Sequence, residues 1–495
     1  MRRRRFGSRL GLAAAVAVAG AVVGPVSAHA AGTAGAGATS VRADFNGDGY
    51  ADLAVAAPYG MAGGYASSGY VSVVYGSSKG LDTKHRQLIS QDAPGIPDDS
   101  ESLDFFGWGL SFGDLDGDGY ADLVVGAFGE DVGNAQEVGT LTVVWGGKAG
   151  LSGGTVVATG SMFDQVRPRH ATVGDFNGDG HLDVASDNRL LTGPFTRTAG
   201  AASTGNLVLD TDDVLDNPHE VDDVAAGDVD HDGVTDLVAL IHTPDEEGPG
   251  VGYRVEYLHG TRQGLSAPVE LTRADDTWVP GGSSLGVGDV NKDGYADLVI
   301  GRPFGSRGED SVEPARLGGQ VGVVYGSAKG PDVSRTTVIN QNTAGVPGVS
   351  EKGDRFGSGV SAGDVDGDGY ADVAVGAPGE AIGTVASAGA VAVLRGGASG
   401  LTGKGAVSFS QNTTGVPGTA EKNDLFGGYT TLTDVNRDGR AELYVSAHGE
   451  NASIGAVWAF RSTASGPTAS GSAAFGPVGL GAPVNNSWFG YGFGR

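Results

Sequence analysis

The sequence predicts an all-β fold, a closed seven-bladed β-propeller, on three observations. A nine-residue acidic pattern recurs seven times, beginning at Asp44, Asp114, Asp175, Asp228, Asp289, Asp364 and Asp434. A short apolar or β-branched run follows each copy, such as Leu53-Ala54-Val55 or Leu298-Val299-Ile300, and reads as a buried strand. Gly and Pro, 89 and 20 of the 495 residues, punctuate every interval too closely for a helix of ordinary length.

Each element of a unit follows in order. The acidic loop turns the chain, the buried strand comes next, and most units carry a second strand signal about 20 residues later. Gly69 to Gly76 (GYVSVVYG) and Gly389 to Gly396 (GAVAVLRG) show its alternation. Such a unit is a small antiparallel sheet of about four strands, which cannot bury its faces alone. Radial stacking of seven sheets solves this, so the three-domain division suggested by length gives way to one ring over residues 43–495.

The ring also predicts its own closure. Phe106-Gly107, Phe356-Gly357 and Phe426-Gly427 each stand eight residues before the first Asp of a loop. Phe489-Gly490 has no loop after it, whereas the first loop has no Phe-Gly before it. At the same offset Arg495 falls in register with Arg42, and the C-terminal strand completes the first blade. Gly376-Ala377-Pro378 follows the sixth loop, with Ala56-Ala57-Pro58, Gly126-Ala127-Phe128 and Gly301-Arg302-Pro303 as variants. This pattern resembles the FG-GAP repeat of the integrin α-subunit head, over nearly the whole chain. Blades three and four lack both signatures and are expected to be irregular.

The N-terminus reads as an export signal. Arg2 to Arg5 and Arg9 precede an apolar stretch from Leu10 to Val23, and Ala28-His29-Ala30 offers a small-x-small cleavage site. Residues 1–30 are therefore expected to be removed after Ala30, leaving 31–42 as a flexible lead into the propeller and a secreted product. Arg3-Arg4-Arg5-Phe6 fits twin-arginine as well as general export. Losing five Arg takes the net charge from −27 to −32. That acidity argues against nucleic acid or anionic lipid as partner. No later segment reaches spanning length. Zero Cys excludes disulfides, thiolate metal sites and a cysteine nucleophile.

In the loops, D-x-[DN]-x-D-G-x-x-[DE], oxygen donors recur at fixed positions. Position 1 is Asp44, Asp114, Asp175, Asp228, Asp289, Asp364 or Asp434, and position 3 is Asn46, Asp116, Asn177, Asp230, Asn291, Asp366 or Asn436. Position 5 is Asp48, Asp118, Asp179, Asp232, Asp293, Asp368 or Asp438. Position 9 is Asp52, Asp122, Asp183, Asp236, Asp297, Asp372 or Glu442. Position 7 offers a backbone carbonyl from Tyr50, Tyr120, His181, Val234, Tyr295, Tyr370 or Arg440. Hard oxygen donors without Cys or His ligands suit Ca²⁺, bound up to seven times and in a structural role. A single Asp-Gly turn is as often a plain hairpin, but seven loops of clustered carboxylates need a cation to offset their repulsion. Loops two, four and six, with Asp at position 3, are expected to bind most tightly; Lys292, Arg437 and Glu442 mark loops five and seven as weak.

Two G-x-S-x-G matches, Gly109 to Gly113 and Gly359 to Gly363, occupy the strand before a loop and not a strand-to-helix elbow. No catalytic residue is assigned. The expected function is an extracellular adhesion or ligand-binding module for protein or glycan, acting as a monomer. The resemblance implies recognition on the face away from the metal loops, where Tyr59, Tyr65, Trp108 and Tyr429 are contact or packing aromatics. It also implies that a chain without leg domains, membrane helix or cytoplasmic tail does not signal by itself. The alternative is an extracellular hydrolase or lyase acting on polysaccharide or lipid, with the propeller as scaffold.

Overall fold

Antiparallel pairing of consecutive strands builds seven sheets in this computed structural model, which describes residues 42–160, 170–209, 220–242, 253–275, 277–303 and 317–495. Six sheets have four strands in chain order and the first has three. Blade two shows the unit: Phe106–Gly113 innermost, then Asp122–Ala127, Thr140–Val144, and Gly154–Thr159 at the rim. Its middle strands are buried at every residue, since both sheet faces pack on neighbouring blades. The apolar runs after each acidic loop are that two-sided burial written in sequence.

Blades three and four also form four-stranded sheets, but with less strand. The strands of blade three are four residues each, and the rim strand of blade four is only Val269–Glu270. The predicted leader, residues 1–30, and the flexible segment up to residue 41 lie outside the described residues. Among the described residues no helix is long and apolar enough to cross a membrane.

The two dipeptide signatures join blade to blade. Phe106, Phe356 and Phe426 are buried, and their N–H groups donate to the carbonyls of Ser68, Gly318 and Ala388 in the preceding blade, at 2.9, 2.7 and 3.0 Å. The Gly after each Phe has φ between 89° and 99° at blades two, six and seven, or 95°, 99° and 89° in that order. A Cβ on Gly376 would stand 1.9 Å from the carbonyl oxygen of Gly427 in the next blade. Both glycines are there because two backbones meet without a side chain between them.

The C-terminal segment closes the ring in the predicted register. Phe489 N–H donates to Ile454 O at 3.0 Å, repeating the Phe latch of the other blades. Gly490 and Gly494 N–H then donate to Ala56 and Ala54 O at 2.9 and 3.1 Å, and Ala56 N–H returns to Gly492 O at 2.9 Å. Phe493 pairs with Val55 as Leu110 pairs with Val125 in blade two. The inner strands of all seven blades surround an axial cavity of about 410 Å³.

Candidate metal centres and recognition face

Each acidic loop connects an innermost strand to its neighbour, so all seven lie at the same end of the ring. The chain turns through left-handed backbone at positions 4 and 6. Position 6 is always Gly, with φ of 89° at Gly49 and 91° at Gly119. Position 4 is Gly in four loops, but His231, Lys292 and Arg437 take φ of 58°, 58° and 60° there. A side chain in that region costs about 1 kcal/mol.

The ligand positions hold one repeated hydrogen-bond pattern. In loop one, Asp44 accepts from Asp48 and Gly49 N–H at 3.0 and 2.8 Å, while Asn46 Oδ1 accepts from Asp48 N–H at 2.9 Å. Asp48 Oδ1 accepts from Tyr50 N–H at 3.0 Å. Position 9 has a further task. Asp52 accepts from Phe45 N–H in its own loop and from Gly76 N–H, both at 2.9 Å, tying the loop to the end of the third strand. Asp122, Asp236 and Asp297 repeat this with Gly146, Gly260 and Gly326. In loop seven Glu442 accepts from Val435 N–H at 3.1 Å, and its second oxygen takes the Asn436 amide at 2.5 Å. The longer arm is met by the side chain of position 3.

Carboxylates converge as the spacing requires. Asp114, Asp116 and Asp122 present oxygens within 4.8 Å of one another, as do Asp228, Asp230 and Asp236, and Asp364, Asp366 and Asp372. Asp116 Oδ1 is buried without a partner, an oxygen free to face a cation. Burial pushes the position 9 carboxyls up, to about 8 at Asp52 and about 7 at Asp122, and the neighbouring loop carboxylates add to the shift. A donor set of carboxylate, amide and carbonyl oxygen fits Ca²⁺, and the residues present suit it.

Three of the four predicted contact aromatics meet at the opposite end of the ring. Tyr59, Trp108 and Tyr429 join Phe105, Phe128, His448, Trp488 and Tyr491 in one partly buried cluster. Tyr59 lies 5.5 Å from Trp108 and 5.0 Å from Trp488 between ring centroids, and Trp108, Tyr429 and Tyr491 line the axial cavity. Tyr65 stands apart, half exposed. Burial, with the charge of Arg355, lowers His448 to about 4, so its ring stays neutral, and its Nδ1 has no partner. Sequence reasoning missed Trp488 and Tyr491. Their position around Phe489-Gly490 was the available signal, because ring closure sets that dipeptide beside blade one. The serines of the two G-x-S-x-G matches join blades: Ser111 Oγ donates to Arg495 O at 2.8 Å, and Ser361 Oγ accepts from Leu432 N–H at 2.9 Å.

A family model described as the FG-GAP repeat matches residues 36–74, 106–144, 281–325 and 356–394, in blades one, two, five and six. The chain is 42% identical to integrin alpha-5 of Xenopus laevis over 89 residues, which is 18% of this chain and 8% of that protein. It is 34% identical to integrin alpha pat-2 of Caenorhabditis elegans over 163 residues, 31% of this chain and 12% of that protein. The matched stretches thus span about a tenth of these relatives. The chain is therefore a seven-bladed β-propeller that carries FG-GAP repeats in blades one, two, five and six and is similar over short stretches to integrin α-subunits.

Proposed function

We propose that the protein is a secreted, Ca²⁺-stabilised propeller that binds an extracellular protein or glycan through the aromatic face opposite its acidic loops. The aromatic cluster at the mouth of the axial cavity carries this reading. Each ring is only partly exposed, but together they form one aromatic floor at the cavity mouth, and tyrosine and tryptophan combine an apolar body with a polar edge. The loops supply the other half. Asp, Asn and Glu side chains with the position 7 carbonyls would hold Ca²⁺ and fasten each inner hairpin, with dissociation constants of roughly 10⁻⁴ to 10⁻³ M in an extracellular setting. Metal bound only by the folded ring adds to its stability.

Calorimetric Ca²⁺ titration and thermal melts with and without chelator test the metal. Uptake at several sites, with a melting temperature several degrees lower in chelator, is expected; equal melts contradict the structural role. A glycan array and capture from the cell exterior test recognition, using wild type and Trp108→Ala/Trp488→Ala. The double variant is expected to keep its melting temperature and lose at least tenfold in binding. Retained binding would move the site elsewhere on the ring.

A further inference from the structure

The three loops with Asp at position 3 share a feature that the Asn loops lack. In loop two, Arg197 reaches over from blade three and places Nε 2.6 Å from Asp116 Oδ2 and Nη2 2.6 Å from Asp118 Oδ2. Its guanidinium lies 5.5 Å over the Trp145 ring and donates to Gly146 O at 3.0 Å. In loop six, Arg395 Nη1 stands 3.3 Å from Asp366 Oδ2 and 3.0 Å from Asp372 Oδ2. In loop four, His259 Nε2 is 2.9 Å from Asp230 Oδ2 and 3.4 Å from Asp232 Oδ2. Arg395 and His259 each precede the glycine whose N–H binds the position 9 Asp, Gly396 and Gly260. In loops four and six the strand end that the loop itself anchors therefore delivers the basic side chain, whereas in loop two it comes from the next blade.

Elsewhere the contacts are single and longer. Arg335 is 3.7 Å from Asp293 in loop five, and Arg440 is 3.5 Å from Asp438 in loop seven. Lys292, expected to weaken its own loop five, reaches the next loop, where Nζ donates to Asp368 O at 2.8 Å. Arg437 of loop seven likewise lies beside Gly49 of loop one. Among the described residues, one basic side chain bridges two loop carboxylates only in loops two, four and six.

We propose that Arg197 and Arg395 are resident counter-cations matched to the position 3 Asp of loops two and six, so that these four-carboxylate cages and the three-carboxylate cages present the same net charge to a metal. The inference rests on the Ca²⁺ reading of the loops and deepens it. A cage with three carboxylates and Asn carries −3, and a cage with four carboxylates and a bridging Arg carries the same. On this account the fourth carboxylate and its Arg together leave Ca²⁺ binding no tighter than in an Asn loop. It lets loops two and six hold their shape when metal is scarce, because part of their repulsion is offset from within.

The test is a charge cycle on loop two, repeated with Arg395→Ala on loop six. Wild type, Arg197→Ala, Asp116→Asn and Arg197→Ala/Asp116→Asn are compared by calorimetric Ca²⁺ titration and by melting in chelator. Arg197→Ala is expected to tighten one Ca²⁺ site by roughly tenfold and to lower the melting temperature in chelator. Asp116→Asn is expected to loosen that site, and the double variant to return both readouts towards wild type. Unchanged or weaker Ca²⁺ binding in Arg197→Ala, together with an unchanged melt in chelator, overturns the proposal. If wild type takes up no Ca²⁺, the metal reading falls, and the melts in chelator alone decide. A loss in Arg197→Ala that Asp116→Asn restores then supports the counter-cation, and no loss overturns it.

Discussion

Glu130 is 1% exposed and takes a hydrogen bond from the Gln91 amide at the junction of blades one and two. Burial, reinforced by Asp104 and Asp98, pushes its carboxyl up to about 8. Glu450 repeats the arrangement with Gln411 and is pushed up to about 7. A carboxyl raised in the folded state holds a proton that the unfolded chain releases, so stability falls as pH rises from the ordinary Glu value near 4.5 to about 8. Melts in chelator are therefore expected to show Glu130→Gln equal to wild type near pH 4.5 and more stable at pH 8, by on the order of 2 kcal/mol. A difference that does not change with pH would contradict it. Gln91 and Glu130 are 39 residues apart, a separation that Gln341–Glu380 and Gln411–Glu450 repeat, so the recurrence stood in the sequence, but a gap of that length carries no local pattern to say that the two side chains meet. The metal-loop positions were legible because they lie within nine contiguous residues.

The acidic hairpin does more than gather oxygen donors. Its position 2 residues, among them Phe45, Leu115 and Val229, are buried to 2% exposure or less, and position 9 fastens the loop to the third strand. The sequence pattern gave position 9 one role, as ligand, and the structure adds a second, as a clamp that works without metal. Asp52→Ala is accordingly expected to cost about 3 kcal/mol in chelator, because it strands two buried N–H groups, and more in Ca²⁺, where a ligand is lost as well. Asp48→Ala, at an exposed position, is expected to cost under about 1 kcal/mol in chelator and more once Ca²⁺ is present. Equal losses for both variants in chelator would reduce position 9 to a ligand. Blades three and four show the reverse side of legibility. Their loops announced two blades, but with neither Phe-Gly nor Gly-Ala-Pro to mark the flanking strands there was no measure of the sheet that would form.

At the scale of the ring, the last residue spans the axis. Arg495 pairs through both terminal nitrogens with Asp223 on the inner strand of blade four, Nη1 lying 2.9 Å from Oδ2, and Leu285 N–H donates to the same oxygen at 2.8 Å. Burial alone would raise Asp223, but Arg495 and His170 outweigh it and hold the carboxyl at about 2. Arg495→Ala is expected to lower stability by about 3 kcal/mol by leaving that carboxylate buried without its partner, and Asp223→Asn in the same chain to recover most of the loss. Additive losses would mean the two residues act separately. The offset between Phe-Gly and Asp loops predicted the closing register, because a repeat fixes position; it could not show where a long side chain ends. The acidity of the whole chain also takes on a local meaning, since the ligand positions hold 24 of its 59 acids.

Closure also sets the order in which the molecule can be finished. Val55 must wait for Phe493, 438 residues later, before its strand gains a partner on the axial side. Throughout synthesis the strand Leu53–Ala57 keeps an open edge, and a chain cut short anywhere before Phe489 keeps it permanently. An unpaired apolar edge recruits other strands. The seven residues from Phe489 to Arg495 thus act as a seal of completeness, separating finished rings from fragments that stick to one another.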